Sequence, residues 1–401
     1  MGQPSVLSLL LLLLVGVLVA RLMAGRLRAW AVPAIVLELV LGFALGNSVL
    51  PFDRIAPLSG LTELGVLTLF FQVGLEVRGD LLASGRSTVL RTVAISALAP
   101  VLAFWPLRQW FGMTLPATLL SLAVLSATGT GVTLRVLAQR GALASPSGRL
   151  LVGVSVLDDL PAIVLLSLAV AAGGQATNLG ASWSGLAALP LGLLLGVLSL
   201  RAVDLWRRHR AERPRDPLAI LLLLITSAWV GEFLGLTSLL GALWGGVLLA
   251  RLEPAGEEVR RMLAVLSEVF LPLYFLSVGM RVEATSLLEP QAWSLALVLT
   301  VLAGLCKLAC GLAVGGADRR AGIDRWVVVF GLMPRGLPGL VFASTALATG
   351  VITASQFSAL VLMVAVTTVV GLLLLERRLR QLTDDQEGAE SAERYGSSKV
   401  P

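Results

Sequence analysis

Residues 61–77 read LTELGVLTLFFQVGLEV, and 205 positions later residues 266–282 read LSEVFLPLYFLSVGMRV. Leu, Glu, Phe, Val, Gly and Val coincide, with Glu63 on Glu268 and Gly74 on Gly279. Each copy is an apolar run, and a hydrocarbon layer about 30 Å thick takes about 20 such residues as a helix. Outward from this pair, thirteen spans are expected, at about 5–22, 31–50, 60–77, 88–107, 114–135, 149–171, 183–203, 217–234, 237–250, 263–280, 291–315, 326–349 and 354–375. Arg21, Arg26 and Arg28 follow the first run and no basic stretch precedes it, so it reads as a span and not a cleaved signal.

The cations orient these spans. With the N-terminus outside and strict alternation, 26 of the 31 Lys and Arg residues fall on the inner side. Only Arg54, Arg108 and Arg281 fall outside, and Lys307 and Arg335 lie within spans. Positive charge is retained on the cytoplasmic side, and one missed helix would invert every later assignment. The sequence therefore predicts an all-α polytopic membrane protein, N-out and C-in. The third and tenth spans then run in opposite directions, so the repeated units, about 31–171 and 237–375, are inverted. Two units related by a pseudo-two-fold axis in the membrane, with a site between them, are a common plan of secondary transporters.

The composition agrees. Of 401 residues 56% are hydrophobic and 14% charged, against about 25% charged in soluble domains. This excludes a soluble enzyme, a disordered scaffold and a disulfide-built secreted domain. The net charge of +6 sits in short gaps between apolar runs, so it marks orientation and not nucleic-acid binding. Cys306 and Cys310 lie in one apolar run and offer neither a disulfide framework nor zinc spacing. The transmembrane part is expected to cover 1–382, with core helices at about 88–171 and 291–375. An acidic, Ser-rich tail, 383–401, reads as disordered.

Four features fall at one depth. Asp158 and Asp159, in VSVLDDLPAIVLL, sit about 15 Å into their span at 1.5 Å per residue. Carboxylates there cost several kcal/mol each unless they meet a wet cavity or a counter-charge. Adjacent helix positions diverge by about 100°, so the two acids can serve different partners. Pro161 frees a carbonyl beside them. Lys307, in LAGLCKLACGL, is one of only two lysines among 31 basic residues, the other being Lys399 in the tail. An amine that can lose its proton is what a Lys offers there and an Arg does not. Its counter-ion is one of the two aspartates. The third and fourth features are helix breaks: Ser126-Ala127-Thr128-Gly129-Thr130-Gly131-Val132-Thr133, and Met333-Pro334-Arg335-Gly336-Leu337-Pro338-Gly339. Unwound backbone at that depth is tolerated only where protein or a wet cavity satisfies it. Crossing half-helices would bring partial charges of both signs to the centre. Glu38, Glu63, Glu232 and Glu268 are weaker cavity candidates, and His209, the only histidine, lies in an Arg-rich inner gap.

SATGTGVTLRVL, LDDLPAI, LGALWGGVLLAR, LPLYFLSVGM, the mid-membrane Lys and GLMPRGLPGLV resemble monovalent cation:proton antiporter family 2, over essentially all of residues 5–376. The resemblance is to its double-aspartate, electrogenic sodium/proton antiporters, thirteen-helix homodimers of elevator type in a bacterial inner membrane. It implies that Asp159 binds the transported Na⁺ or Li⁺ and the proton, that Asp158 contributes and pairs with Lys307, and that Thr128 and Thr130 complete the site. No cofactor is implied beyond the transported Na⁺ and H⁺. Two departures stand out. The family commonly has Glu after Pro-Arg-Gly, where this chain has Leu337 and Pro338. Leu-Pro-Ala-Ile after the acids is reminiscent of the potassium-efflux branch, so K⁺/H⁺ exchange is the alternative. An intramembrane aspartyl protease, the reading from another class, takes its two acids from different helices to flank one water. Here they are adjacent on one.

Overall fold

The computed structural model describes residues 6–26, 34–76, 86–172, 198–199, 201, 216–234, 238–252, 257–335 and 337–397. The side chains of Thr130, Asp159, Leu337 and everything after Leu382 lie outside that description, as do His209 and Gly336 entirely. Among the described residues there is no strand. The helices are α1 (Val6–Arg26), α2 (Ala34–Ser48), α3 (Phe52–Ile55), α4 (Ser59–Glu76), α5 (Arg86–Leu98), α6 (Phe104–Trp110), α7 (Leu115–Ser126), α8 (Thr130–Gln139) and α9 (Pro146–Ala172). After them come α10 (Pro217–Phe233), α11 (Ser238–Leu252), α12 (Glu257–Met280), α13 (Pro290–Cys310), α14 (Gly316–Arg320), α15 (Arg325–Leu332), α16 (Leu337–Ala348) and α17 (Ala354–Ser397).

Helix formation follows from residues that leave the backbone no better partner than itself. Asp216 accepts from the Leu218 N–H at 3.0 Å ahead of Pro217, and Thr114 caps α7 ahead of Pro116. Helix α1 buries a single stripe of Leu9, Leu13, Gly16, Val17 and Ala20. Its Leu7, Leu11, Leu18 and Leu22 face outward, which costs nothing against lipid tails.

The helices pack in two groups. In one, α2 and α4 lie against α12 and α11, with α1 and α10 outside them. Here glycine sets the spacing. A Cβ on Gly74 of α4 would fall 2.0 Å from the Leu243 carbonyl oxygen of α11, and one on Gly279 of α12 would fall 2.2 Å from that of Leu39 on α2. Both contacts are backbone on backbone, the close approach that lets membrane helices gain packing energy without a hydrophobic drive. In the second group α7 and α5 pack on α9, α13 and α15 on α17, and α16 on α7. One apolar cluster runs across the seam, joining Val66, Phe70 and Phe275 to Leu340 and Phe342.

Every expected span except 183–203, most of which lies outside the described residues, has helix over the same stretch. Three details differ. The run 88–107 lies within one apolar helical stretch, Ser87–Trp110, but it is not uniformly α: α5 gives way to a 3₁₀ turn at Ala99–Ala103 before α6, where Pro100 and Pro106 each remove a backbone donor. Among the described residues the breaks are shorter than expected, at 127–129 and 333–335, with Thr130 and Gly131 already in α8 and Pro338 and Gly339 in the first turn of α16. Proline is tolerated there because first-turn N–H groups have no intrahelical partner. The tail expected to be disordered from Thr383 continues α17 to Ser397. Elongating an existing helix avoids the nucleation cost, and Glu, Gln, Ala and Arg favour it.

Candidate functional site

Helix α7 ends at Ser126, and Ala127 turns extended with ψ 141°. The second break follows Leu332, where Pro334 has no N–H to continue a helix. The two breaks touch: the Gly129 N–H donates to the Pro334 carbonyl at 2.6 Å. Thr133 on α8 also donates to the Gly331 carbonyl of α15 at 2.7 Å.

Arg335 is fully buried at this crossing. It donates to the carbonyls of Ala127 (2.9 Å) and Ala303 (3.2 Å), and its own carbonyl accepts from the Thr368 hydroxyl of α17. Its side chain thus ties both breaks to α13, and its main chain ties the second break to α17.

Lys307, one turn beyond Ala303 on α13, is also fully buried. Its Nζ donates to the Ser126 carbonyl at 3.1 Å, Thr128 Oγ1 at 2.8 Å, the Ser96 hydroxyl of α5, and Asp158 Oδ2 at 3.4 Å. Thr128 in turn donates to Asp158 Oδ2. Asp158 is 1% exposed, and its Oδ1 has no partner among the described residues. Two buried cations therefore face one described carboxylate. Among the described residues, further compensation comes from the Ser126 and Ala127 carbonyls at the C-terminal end of α7, where a helix carries partial negative charge.

Of the residues singled out by sequence, Asp158, Lys307, Thr128, Gly129, Pro334 and Arg335 converge here. Asp159 follows Asp158 on α9, and Thr130 and Gly131 open α8. Glu38 is buried on α2 in the other helix group, and Glu63 and Glu232 are exposed on α4 and α10. Glu268, exposed, lies 3.8 Å from Arg21. Cys306 and Cys310 flank Lys307 as buried free thiols. Among the described residues no group of three His, Cys, Asp or Glu gathers to hold a resident metal. Ser96 and Thr368 were not singled out. A lone hydroxyl in an apolar helix commonly bonds its own i−4 carbonyl, as Thr368 also does to Val364, so it carries no signal by itself.

Helices α8 and α15, one from each broken pair, are braced at one rim. Asp324 caps α15 through the Val327 N–H (2.8 Å) and holds Arg378 of α17 at 2.7 Å. Arg140, at the end of α8, holds Glu376. Burial alone would raise the Asp324 carboxyl, but the Arg378 bond and the α15 amides outweigh it and hold the group below its ordinary value. A depressed carboxylate stabilises the fold above its unfolded value and loses that contribution as pH falls through the folded one. Melting in detergent is thus expected to show no contribution from Asp324 to pH dependence between about pH 5 and 8, and an acid loss below about pH 4. Asp324→Ala should lower stability by about 1–2 kcal/mol at neutral pH and remove its part of the acid loss. A variant with unchanged melting at pH 7 would show that the brace contributes nothing.

The transmembrane sodium/hydrogen exchanger family model matches residues 9–377. The chain is 25% identical over 350 residues to the Na(+)/H(+)-K(+) antiporter GerN of Bacillus cereus, covering 84% of this chain and 88% of that one. It is 27% identical to the high-affinity Na(+)/H(+) antiporter NhaS3 of Synechocystis, over 78% and 70% of the two. Among solved structures, the sodium proton antiporter MjNhaP1 of Methanocaldococcus jannaschii superposes with TM-score 0.62 at 18% identity, over 91% of this chain and 95% of that one. That likeness shows a shared fold. The match over nearly the whole chain also removes the protease reading, since such proteins are transporters and use no cofactor beyond the ions they carry. The chain belongs to the transmembrane sodium/hydrogen exchanger family, as a multi-pass membrane cation/proton antiporter.

Proposed function

We propose that the chain exchanges Na⁺ or Li⁺ for protons by alternating access, with cation and protons competing for Asp159 and Asp158 at the crossing of the broken helices. The observation that carries this reading is the oxygen set around Lys307: Ser96, Ser126, Thr128 and Asp158. Hydroxyl, carbonyl and carboxylate oxygens are what a dehydrated hard cation takes. An ammonium and a metal ion cannot hold them together. A carboxylate that is protonated cannot bind the cation, and one that binds the cation cannot be protonated, so exchange is obligatory without a further device.

The reading includes an N-out, C-in chain built of inverted repeats, 31–171 and 237–375. In its support, α4 meets α11 as α12 meets α2, and these helices correspond at an offset of about 205. Gly74 and Gly279, equivalent in the repeat, make corresponding backbone contacts. The second helix group, 88–171 and 291–375, moves as a rigid core against the first, in a homodimer in a bacterial inner membrane. K⁺/H⁺ exchange is the second reading, favoured by Leu160-Pro161-Ala162-Ile163 and by the K⁺ in the name of the Bacillus cereus relative.

Purified protein in liposomes with an imposed proton gradient tests both, with lumenal pH read after adding Na⁺, Li⁺ or K⁺ singly. Collapse with Na⁺ and Li⁺ but not K⁺ supports the first reading, and collapse with K⁺ alone supports the second. No response to any cation from intact protein would overturn both.

A further inference from the structure

Three contacts cross the seam between the helix groups along α16, the helix that leaves the second break. Phe70 of α4 lies 6.3 Å from Phe342, ring centre to ring centre. The Tyr274 hydroxyl of α12 donates to the Leu340 carbonyl at 3.5 Å. Arg281, just past the end of α12, donates from Nη1 to the Ser344 carbonyl at 3.3 Å. Leu340 and Ser344 are i and i+4 on α16, and Arg281, whose N–H continues the last turn of α12 to the Ser277 carbonyl, lies i+7 from Tyr274, so each pair shares a face. The seam thus runs from the break toward the end of the molecule where α4 begins, and Arg281 closes it.

Arg281 is held there by little. Its guanidinium carbon lies 4.1 Å from the Phe52 ring centre, and the Glu63 carboxylate of α4 attracts it. Its Nε is buried without a hydrogen-bond partner among the described residues. A guanidinium offers five donors, and the bond it makes across the seam goes to a helix carbonyl. Such carbonyls recur every turn, about 5.4 Å, so a helix sliding past by one turn presents the next one.

We infer that Arg281 is a latch across the seam, which holds the outer side of the transport route shut and must release Ser344 in each cycle. The inference rests on the proposed topology and two-group motion. It makes Arg281 a positioning residue that governs access to the site and touches no transported ion.

The test uses the full chain in liposomes, with Cys306→Ala and Cys310→Ala and a reporter, Ser344→Cys, labelled from outside by a membrane-impermeant thiol reagent. Adding Arg281→Gln is expected to speed labelling about tenfold, the equilibrium effect of one charge-assisted hydrogen bond. Arg281→Lys, which keeps a charge and donors, should return labelling to within about twofold of the parent. A second reporter, Thr92→Cys, buried in the core on α5, controls for general loosening. Labelling of Ser344→Cys unchanged by Arg281→Gln, or an equal rise at both reporters, would overturn the latch. Cation-driven proton flux in the parent separates the two failures: a parent that moves no cation fails the transport reading, and an active parent with Arg281-independent labelling fails the latch alone.

Discussion

Asp159→Asn is expected to abolish cation-driven proton flux, with a loss of at least about a hundredfold, while the protein still folds. Asp158 Oδ2 takes both the Lys307 ammonium and the Thr128 hydroxyl, in a pocket with almost no solvent exposure. Asp158 can take a cation only by releasing both bonds, so in this reading the first exchange falls to its neighbour. Asp159 is the next position on α9, and adjacent helix positions diverge by about 100°, so the two carboxylates can serve different partners. Asparagine keeps the size of the side chain but can neither carry the proton nor neutralise a dehydrated cation, whose uncompensated burial costs far more than the 2.7 kcal/mol that a hundredfold loss represents. Asp159→Glu, which keeps the charge, should retain measurable flux. The check is lumenal pH in liposomes over a series of Na⁺ concentrations. Wild-type rates in the Asn variant would transfer the exchanging role to Asp158.

How much of this was legible in the sequence follows from the physics of the bilayer. Each span had to satisfy its own backbone, so long apolar runs became helices, and α1, α9, α12 and α17 fall where hydropathy puts them. The central cluster was legible for the same reason: Asp158, Lys307 and Arg335 are expensive in a membrane, and their cost marks them. Residues that are cheap there left no mark. Ser96 and Thr368 bond the buried cations' network with a hydroxyl that any helix can accommodate, and Ala127 and Ala303 contribute only carbonyls. Arg335 read as part of a break. Its role as the clasp that ties Ala127 to Ala303 depends on which helices pack beside it, which is not encoded in local pattern. The tail shows the opposite limit: its acidic, Ser-rich composition reads as disorder, yet α17 runs through it to Ser397.

Lys307 and Asp158 should prove coupled, and unequally so. Removing one partner of a buried ion pair leaves the other charged and unpaired, at about 3–5 kcal/mol. Lys307→Gln leaves Asp158 with Arg335 still near in the same cluster, so part of its charge remains compensated. Asp158→Asn removes the one carboxylate that the described residues place beside Lys307 and Arg335, and among those residues hydroxyls and helix carbonyls remain around them. The second loss should be the larger. The double variant removes one charge of each sign and should recover most of the stability, with a coupling energy of about 2 kcal/mol or more in a double-mutant cycle on detergent melting. Additive losses would mean that the 3.4 Å contact contributes nothing of its own. The same variants report on transport. If Lys307 carries charge through the cycle, Lys307→Gln should lower the flux or change the charge moved per exchange, read as current on a solid-supported membrane. Unchanged rate and unchanged charge movement would leave the pair as a structural support of the crossing and remove it from the exchange itself.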